Sequence, residues 1–415
     1  LEFINNMKKL LFLAALLMAS AASAQSHYQD NANVDMLRHH NQQSRQRREI
    51  ILPEVNGYTV YKADLHTHSI FSDGSVTPEF RIQEAWHDGL DVIAVTEHVE
   101  YRPYEGKMMN FLTGYVPKNV KPANSNVIRS EATDAGILSD LNYPVKLYQN
   151  AAKAYGITVI PGAEITREPT VIGHYNALFT KDNNTIYAKD PMQSIRNAKA
   201  QGAIVMQNHP GWRRTSLDMM EFEEKVYGAN LIDGIEIMNG GEFYPRAITR
   251  ALKNKFFMSS NTDIHGSTSE DYVIGGNGHR NMTFIFAQEN TLEALREAME
   301  AQRTLAYSHG TLAGEQSLLV DLFKASIATK VIQTASSGAK TVLLTNNSSI
   351  KYTLRFGNAN PVILEPFTSI RATSGKDGKL AVKVENMWCG EDAHPVVEWQ
   401  FYQKPNKKAL LASGF

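Results

Sequence analysis

The sequence is poor in cysteine, in excess charge of either sign and in long hydrophobic runs. Cys389 is the only cysteine among 415 residues, so the chain can form neither an internal disulfide nor a cysteine-rich zinc site. Any metal must therefore be held by histidines and carboxylates. Lysine and arginine total 42 against 43 acidic residues, which leaves no overall positive field to hold nucleic acid non-specifically.

The apolar run near the N-terminus is too short to cross a bilayer and is typical of an export signal. After a patternless upstream remnant at 1–6, Met7-Lys8-Lys9 precedes this run, and Ala22-Ser23-Ala24 has the form of a signal-peptidase site. A membrane span needs about 20 apolar residues. We therefore expect a signal peptide at 7–24, cleavage before Gln25, and a periplasmic or secreted protein with no membrane span.

The middle of the chain alternates short apolar runs with helical segments. The predicted strands are 58–65, 91–96, 157–160, 175–179, 203–207, 234–238, 256–260 and 304–308. Predicted helices follow Thr77 and Thr291, which have the character of N-caps, and occupy 144–156 and 190–202. Seven or eight such units over about 255 residues predict an α/β fold with parallel strands, and favour a barrel of the triosephosphate isomerase type.

Three other regions depart from this alternation. Residues 25–57 are polar and predict a solvated N-terminal arm, with a basic tether as the alternative. Residues 99–142 are rich in Tyr, Asn, Met and Pro and predict a lid-like insertion in a barrel that spans 58–322. Beyond it, short β-rich runs predict a small all-β, sandwich-like domain at 323–415, with a hairpin at 374–379.

Histidines and carboxylates recur where the predicted strands begin or end. They are His66, His68, Asp73, His98, Glu164, His174, His209, Asp263 and His265. Since strand ends converge on one face of a parallel barrel, these nine scattered residues are expected to meet there. Positions i and i+2 of a strand point the same way, so His66 and His68 can reach one ion. The set predicts a metal cluster.

These residues carry a resemblance to the PHP family, named for polymerase and histidinol phosphatase domains. The matching motifs are Asp64-Leu65-His66-Thr67-His68 with Ser72-Asp73-Gly74, Thr96-Glu97-His98, Gly162-Ala163-Glu164, His174, Asn208-His209-Pro210 and Thr262-Asp263-Ile264-His265. The second motif has Glu97 where the family usually has Asp. The resemblance covers about 58–315, and the signal peptide and β domain make the chain similar to a secreted phosphodiesterase-like branch.

The resemblance implies a distorted seven-stranded barrel with two to three divalent metal ions. One ion would bind His66, His68, Glu164 and Asp263, a second would share Glu164 with His174 and His209, and a third would bind Asp73, His98 and His265. Such mixed imidazole and carboxylate sets suit zinc, manganese or iron. Two cations bridged by Glu164 would lower the pKa of a bridging water, and the resulting hydroxide would attack phosphorus.

The expected activity is therefore that of a secreted metal-dependent phosphoesterase, specifically a phosphodiesterase acting on a small-molecule phosphate ester. Catalytic roles fall on Glu164, His98 and His265, with His309 or His279 as the group that protonates the leaving group. Arginine matches phosphate oxygens well, and the candidates near strand ends are Arg102, Arg167, Arg213, Arg214 and Arg280.

Two other classes of function stay open on the sequence. The same metals would serve hydrolysis of an amide, a carbamate or another carbonyl ester, or of a phosphomonoester. A non-enzymatic binding protein would be expected to have lost ligands, and all nine are present. No stable nucleic-acid partner is expected, and the sequence names no partner for the β domain.

Overall fold

The structure, a computed structural model, describes residue 35 and residues 46–103, 140–167, 171–275 and 278–401. The chain divides into two units, Leu1–Gln46 and Arg47–Phe415, and every element below belongs to the second unit. The predicted signal peptide and residues 104–139 of the predicted lid lie outside the described residues, so both stay predictions. Among the described helices, none combines the length and the hydrophobicity that crossing a membrane requires.

Strands and helices alternate up to about residue 326, and strands dominate after it. The strands are β1 Thr59–Asp64, β2 Val92–Ala94, β3 Thr158–Ile160, β4 Gly162–Arg167, β5 Gly173–Leu178, β6 Ile204–Gln207, β7 Gly234–Asn239, β8 Glu242–Phe243, β9 Phe257–Asn261, β10 Met282–Ala287, β11 Thr304–Ser308, β12 Thr311–Gly314, β13 Ile327–Thr334, β14 Lys340–Asn346, β15 Tyr352–Arg355, β16 Val362–Leu364, β17 Ser369–Thr373, β18 Lys379–Val384, β19 Met387–Trp388 and β20 Val396–Gln400. The helices are α1 Pro78–His87, α2 Tyr143–Ala152, α3 Pro191–Ala200, α4 Glu221–Gly228, α5 Pro245–Asn254, α6 Thr268–Asp271, α7 Leu292–Glu300 and α8 Gln316–Ser326.

The predicted helix starts are confirmed at side-chain level. The Thr77 side chain accepts a hydrogen bond from the backbone N–H of Phe80, and Pro78 opens α1. The side chain of Thr291 caps α7 in the same way. Asp190 caps α3. These side chains satisfy backbone donors that have no partner inside the helix, which is why each helix begins there.

The strands before residue 315 form two sheets rather than one parallel set. One sheet has the order β19-β12-β11-β10-β1-β2-β3, and the other the order β4-β5-β6-β7-β8 with β9 paired to β7. The expectation of parallel strands throughout is wrong, because β1 pairs antiparallel with β10 and β4 pairs antiparallel with β5. Antiparallel neighbours need only a short connection, so no crossover helix separates β4 from β5.

A closed barrel is not confirmed by the strand pairing. The two sheets are linked by isolated bridges, Thr67 to Ile264 and His98 to Glu164. Apolar side chains of both sheets nevertheless share one buried cluster, in which Val92 of the first sheet and Met206 and Phe257 of the second take part. The shared core and the bridges hold the strand ends of the two sheets together.

The C-terminal part consists of two small sheets, β13-β14-β17 and β16-β15-β18-β20. The predicted hairpin at 374–379 is wrong, because β17 pairs with β14 whereas β18 pairs with β15 and β20. The turn therefore connects two sheets. Strand β19 pairs in parallel with β12, Met387 opposite Leu312, and so joins the seven-stranded sheet. The boundary predicted at 322 falls inside α8.

Candidate metal centre

The structure brings all nine predicted ligands together. His66 and His68 follow β1, Asp73 lies on the next turn, His98 follows β2, Glu164 lies in β4, His174 in β5, His209 follows β6, and Asp263 and His265 follow β9. Seven of them line one cavity of about 300 Å³, together with Tyr101, Trp212 and Arg213. The side chains of His66 and His68 are fully buried beneath it.

Glu164 occupies the middle of this set. Its Oε1 lies 3.6 Å from His66 Nε2 and 3.3 Å from His174 Nδ1, and its Oε2 lies 3.6 Å from His68 Nε2 and 2.6 Å from His98 Nδ1. A carboxylate so placed faces several imidazoles from both of its oxygens. Its two oxygens thus contact imidazoles on both sides of the centre.

The ligand atoms fall into three groups that could each hold an ion. In each group the candidate atoms lie within 4.8 Å of one another: His68, Asp73, His98 and His265; His66, His68 and Asp263; Glu164, His174 and His209. His68 belongs to two groups, whereas the family resemblance assigns it to one. Asp73 Oδ1 lies 3.2 Å from both His98 Nε2 and His265 Nε2.

Several of these buried atoms lie close to other ligand atoms of the centre but form no hydrogen bond of good geometry with any described residue. They are His66 Nε2, His68 Nε2, Asp73 Oδ1, Glu164 Oε2 and His174 Nε2. A buried polar atom without a partner costs free energy, so native proteins keep such atoms mainly where something else satisfies them. Imidazole nitrogens and carboxylate oxygens in this arrangement match the ligands of zinc, manganese or iron. The donor set therefore fits metal ions.

Backbone strain is concentrated at the same cavity. Asp263 has φ 54°, His209 has φ 22° and Arg213 has φ 55°, a region that residues other than glycine enter infrequently. Such conformations persist where the surrounding structure enforces them, and they cluster at functional sites. Here the three residues with strained backbones are two candidate ligands, Asp263 and His209, and one cation, Arg213, and all three line the metal cavity.

Charge balance in the metal-free centre is carried by protons. Burial lowers the pKa of His98, but the carboxylates of Glu164 and Asp73 outweigh it and raise the pKa to about 10. Burial raises the pKa of Glu164, yet the imidazoles, with His98 foremost, hold it well below its ordinary value. Burial also lowers the pKa of His68 to about 3, with the charges of His265 and His98 adding to the effect. Carboxylates that stay ionised beside protonated imidazoles form a site where a cation can replace protons.

Sequence reasoning missed the residues that orient the ligands. Glu236 in β7 is fully buried, its Oε1 lies 3.0 Å from His66 Nδ1, and its Oε2 accepts the backbone N–H of His209 at 2.6 Å. Asn208 Nδ2 donates to Glu164 Oε1 at 2.9 Å. The signal for Glu236 was present, because an acid between apolar residues of a buried strand requires a partner.

Glu97, the departure from the family motif, supports the loop between His68 and Asp73. Its carboxylate accepts hydrogen bonds from the hydroxyls of Ser69 and Ser72, and Ser72 Oγ lies 3.2 Å from His68 Nδ1. The longer side chain therefore reaches the loop directly. Partners of this kind fix the orientation of a ligating imidazole.

The predicted substrate arginines lie in different places. Arg213 lines the cavity, with its guanidinium 4.2 Å from the centre of the Trp212 ring. Arg214 pairs with Glu223 at 2.6 Å. Arg102 is buried and donates to the carbonyl of Val99. The side chain of Arg167 lies outside the described part of the chain.

The prediction that Arg280 binds substrate is corrected by its surroundings. Arg280 is fully buried, and its guanidinium pairs with Asp64 at 2.7 Å and with Asp88 at 3.2 Å. A guanidinium held by two buried carboxylates is not available to a substrate phosphate, and Arg280 does not line the metal cavity. His279 and His309 line a separate cavity, so the structure does not place either where a leaving group at the metal centre would be protonated.

Comparison with known proteins agrees with this geometry. The model of the PHP domain family matches residues 64–335. The chain is similar to a two-domain protein from Bacteroides vulgatus that contains a predicted PHP-like metal-dependent phosphoesterase, with 31% identity and a TM-score of 0.74 over 86% of this chain and 100% of that chain.

Two other solved structures match at lower similarity. An amidohydrolase from Chromobacterium violaceum is 14% identical, with a TM-score of 0.35 over 50% of this chain and 89% of that one. A lesion-specific endonuclease from Pyrococcus furiosus is 17% identical, with a TM-score of 0.37 over 62% of this chain and 59% of that one. No curated protein matches the sequence.

Proposed function

We propose that this chain, which belongs to the PHP domain family, is a metal-dependent phosphoesterase that hydrolyses phosphodiesters of small molecules. The observation that carries the proposal is the convergence of nine histidines and carboxylates, several with buried atoms that lack a hydrogen-bond partner. Further support comes from the similarity to the Bacteroides vulgatus protein.

Two to three divalent ions would be held by the three groups of ligands, and Glu164, whose two oxygens lie near imidazoles of all three groups, would be the carboxylate shared between ions. Bound there, zinc, manganese or iron lowers the pKa of water toward neutrality and offsets negative charge on phosphate oxygens. Glu236 and Asn208 keep His66 and Glu164 in their orientations. His98 and His265 hold Asp73 between them.

Arg213 is the residue best placed to bind the phosphate of a substrate. Its guanidinium lies at the cavity and is kept in place by stacking on Trp212. The planar fork of arginine matches two phosphate oxygens, which favours phosphorus over a planar carbonyl substrate. Trp212 and Tyr101 add aromatic surface to the same cavity.

The reaction class is tested with purified protein whose metal content is measured. We expect two or more equivalents of transition metal and faster hydrolysis of bis(p-nitrophenyl) phosphate than of p-nitrophenyl phosphate or an aryl carbamate. Chelation should remove both metal and activity. Hydrolysis of the carbamate alone would assign the site to carbonyl substrates, and a preference for the monoester would correct the substrate class.

Export and the closed barrel are part of the same proposal. The N-terminal pattern at 7–24 supports a cleaved signal peptide and a periplasmic or secreted location. N-terminal sequencing of exported protein should begin at Gln25, and a start at Met7 would contradict it. The distorted seven-stranded barrel is supported by the core that the two sheets share, and an experimental structure would test its closure.

A further inference from the structure

Arg81 of helix α1 joins two of the segments that carry candidate metal ligands. The first, here called the ligand loop, is residues 68–75, which come after β1. The second, here called the ligand segment, is residues 263–266, which come after β9. Each carries two of the nine candidate ligands. Arg81 is fully buried and does not line the metal cavity, so any effect on the ions must act through these two segments.

The Arg81 guanidinium donates hydrogen bonds to four backbone carbonyl groups, one in the ligand loop and three in the ligand segment. Its Nε and Nη2 donate to the carbonyl of His68 at 3.1 Å and 2.8 Å. Its Nη1 donates to the carbonyl of Gly266 at 2.9 Å. Nη2 also lies 3.3 Å from the carbonyl oxygens of both Ile264 and His265. Every nitrogen of the guanidinium therefore contacts a ligand-bearing stretch of backbone.

The planar fork of arginine is what this position requires. Buried carbonyl oxygens that converge on one place need donors in several directions, and a guanidinium supplies five around a delocalised charge. Lysine carries its donors on a single nitrogen and cannot span the same set. The carboxylate of Glu84 pairs with the guanidinium, and its other oxygen accepts hydrogen bonds from the backbone N–H and the hydroxyl of Thr268. The guanidinium is thus balanced in charge and held in place.

The same carbonyl groups also link the ligand loop to the ligand segment directly. The backbone N–H of His68 donates to the carbonyl of Ile264 at 3.1 Å, and that of Ser75 donates to the carbonyl of His265 at 2.8 Å. Arg81 binds both of these acceptors. It therefore reinforces the contact that sets the distance between the two stretches of backbone.

His265 is the candidate ligand that depends most on such support. Its side chain is 41% exposed, against 21% for Asp263 and 19% for Asp73, and the other six are almost completely buried. Packing therefore restrains the His265 ring less than it restrains the other ligands. The ring keeps its place through the bond from the ligand segment to its Nδ1, 2.8 Å from the carbonyl of Asp263, and through the position of its own backbone.

We propose that Arg81 is a positioning residue that fixes the distance between His68 and His265 and thereby sets the affinity for one ion. That ion is the one held by His68, Asp73, His98 and His265. The inference rests on the metal centre of the proposed function. Across the described ranges, Arg81 forms no hydrogen bond with the strands that supply Glu164 and His174 or with the backbone of His209, so the ion of that group keeps its affinity without Arg81.

The proposal is tested with Arg81→Lys in the full chain, which keeps the charge beside Glu84 and removes the fork. Successive zinc affinities of the metal-free protein are measured by competition with a chromogenic chelator. One equivalent should bind about 10- to 100-fold more weakly, as expected when a partner that orients ligands is lost, and another should change by less than about twofold. Leu344→Ala, which truncates a buried side chain of the C-terminal part, is the control for general destabilisation and should leave every affinity within about twofold.

Double variants identify the ion that Arg81 affects. In a His265→Ala background, where a ligand of that ion is already missing, Arg81→Lys should change the remaining affinities by less than about twofold. In a His174→Ala background it should keep its full effect, because the two changes act on different ions. Cobalt(II) gives a spectroscopic readout, since the visible absorption of the affected equivalent should shift as the angles between its ligands change.

The unaltered protein is measured first, because a failure to bind metal would overturn the metal centre itself and the role of Arg81 with it. Unchanged affinities in Arg81→Lys, equal losses at all ions, or an effect that persists in the His265→Ala background would overturn the role of Arg81 alone. Glu84→Gln loosens the guanidinium without removing it and should weaken the same ion several-fold. If Arg81→Lys does not fold, Glu84→Gln decides: a selective loss supports the proposal, and unchanged affinities overturn it.

Discussion

The metal centre and the C-terminal sheets use buried residues in opposite ways. Strand β14 of the C-terminal part alternates buried and half-buried residues, and Val342 and Leu344 point into an apolar core. Around the metal cavity, by contrast, the buried residues are imidazoles and carboxylates, and His209 and Asp263 have strained backbones. Buried charge and strain cost stability, whereas apolar burial supplies it. Substitutions in the two regions should therefore have separable effects on activity and on stability.

The largest effect on activity is expected from Glu164→Gln, which tests whether the buried charges of the metal centre serve catalysis. Loss of the central negative charge should reduce bound metal and lower the rate on a phosphodiester by about a thousandfold, because the two oxygens of Glu164 lie near imidazoles of all three ligand groups. Metal analysis and steady-state rates measure this. Glu297→Gln on the exposed surface is the control and should change neither. A Glu164→Gln variant with full metal content and rate would show that the carboxylate is not shared.

The reverse test is made in the C-terminal part with Leu344→Ala. This residue is fully buried, so its truncation should lower the free energy of unfolding by about 3 kcal/mol. Denaturant unfolding measures the loss. Val331→Ala on an exposed face should stay within about 0.5 kcal/mol of the unaltered protein. Metal content in folded Leu344→Ala should be unchanged, and a loss of metal would mean that the two regions are coupled.

A smaller effect is expected from Glu236→Gln, which alters a residue that only orients ligands. Its carboxylate positions the His66 ring and the His209 backbone. Losing the charge should weaken metal affinity by about 10- to 100-fold, since such partners set ligand geometry and basicity. Competition with a chromogenic chelator gives the affinity. An unchanged affinity would reduce Glu236 to a purely structural residue.

A change of pH should alter metal affinity by less than the Glu236→Gln substitution does. The pKa of His98 without metal is about 10, so a metal ion must displace its proton at neutral pH. Affinity should therefore fall by up to about tenfold per displaced proton for each pH unit of acidification. The stability of the metal-free protein has the opposite dependence on pH. The stability that protonated His98 contributes is complete below its ordinary pKa of about 6.5 and is lost as the pH rises toward 10. Between about pH 6 and pH 8, chelator titration should show metal affinity rising with pH, and denaturant unfolding should show the stability of the metal-free protein falling with pH.

The smallest effect is expected from Arg213→Lys, which keeps the charge and loses the planar fork. We expect a several-fold rise in KM for a phosphodiester with metal content unchanged. Lys cannot reproduce the stacking on Trp212. An unchanged KM would place the substrate phosphate elsewhere in the cavity.

Sequence patterns located the ligands better than they located the sheets. All eight predicted strands are present with ends shifted by at most two residues, because buried apolar runs are a local property. Strand β10, the antiparallel partner of β1, was not among the predicted strands although its residues are mostly apolar, and the direction of a strand is not a local property of the sequence. Strand β4 was missed because Glu164, Thr166 and Arg167 interrupt its apolar character.

The roles of the cations were the least predictable part of the site. Arg213 and Arg280 were both predicted to bind substrate, yet one lines the cavity and the other pairs with Asp64 and Asp88. The distinction depends on carboxylates that are distant in the sequence. Ligand types and spacing revealed a candidate metal centre, whereas candidate substrate contacts required the three-dimensional arrangement.

The antiparallel pairing of β1 with β10 has a consequence for how the chain acquires its structure. Thr59 lies opposite Ala287, so β1 cannot pair with β10 until most of the two-sheet region has been synthesised. Closing so long a loop costs chain entropy before its contacts form, which slows folding. The pairing of Leu312 with Met387 adds a still later step at the sheet edge. Truncated chains that end before residue 282 should therefore stay unfolded and aggregate, since their exposed strand edges have no partner.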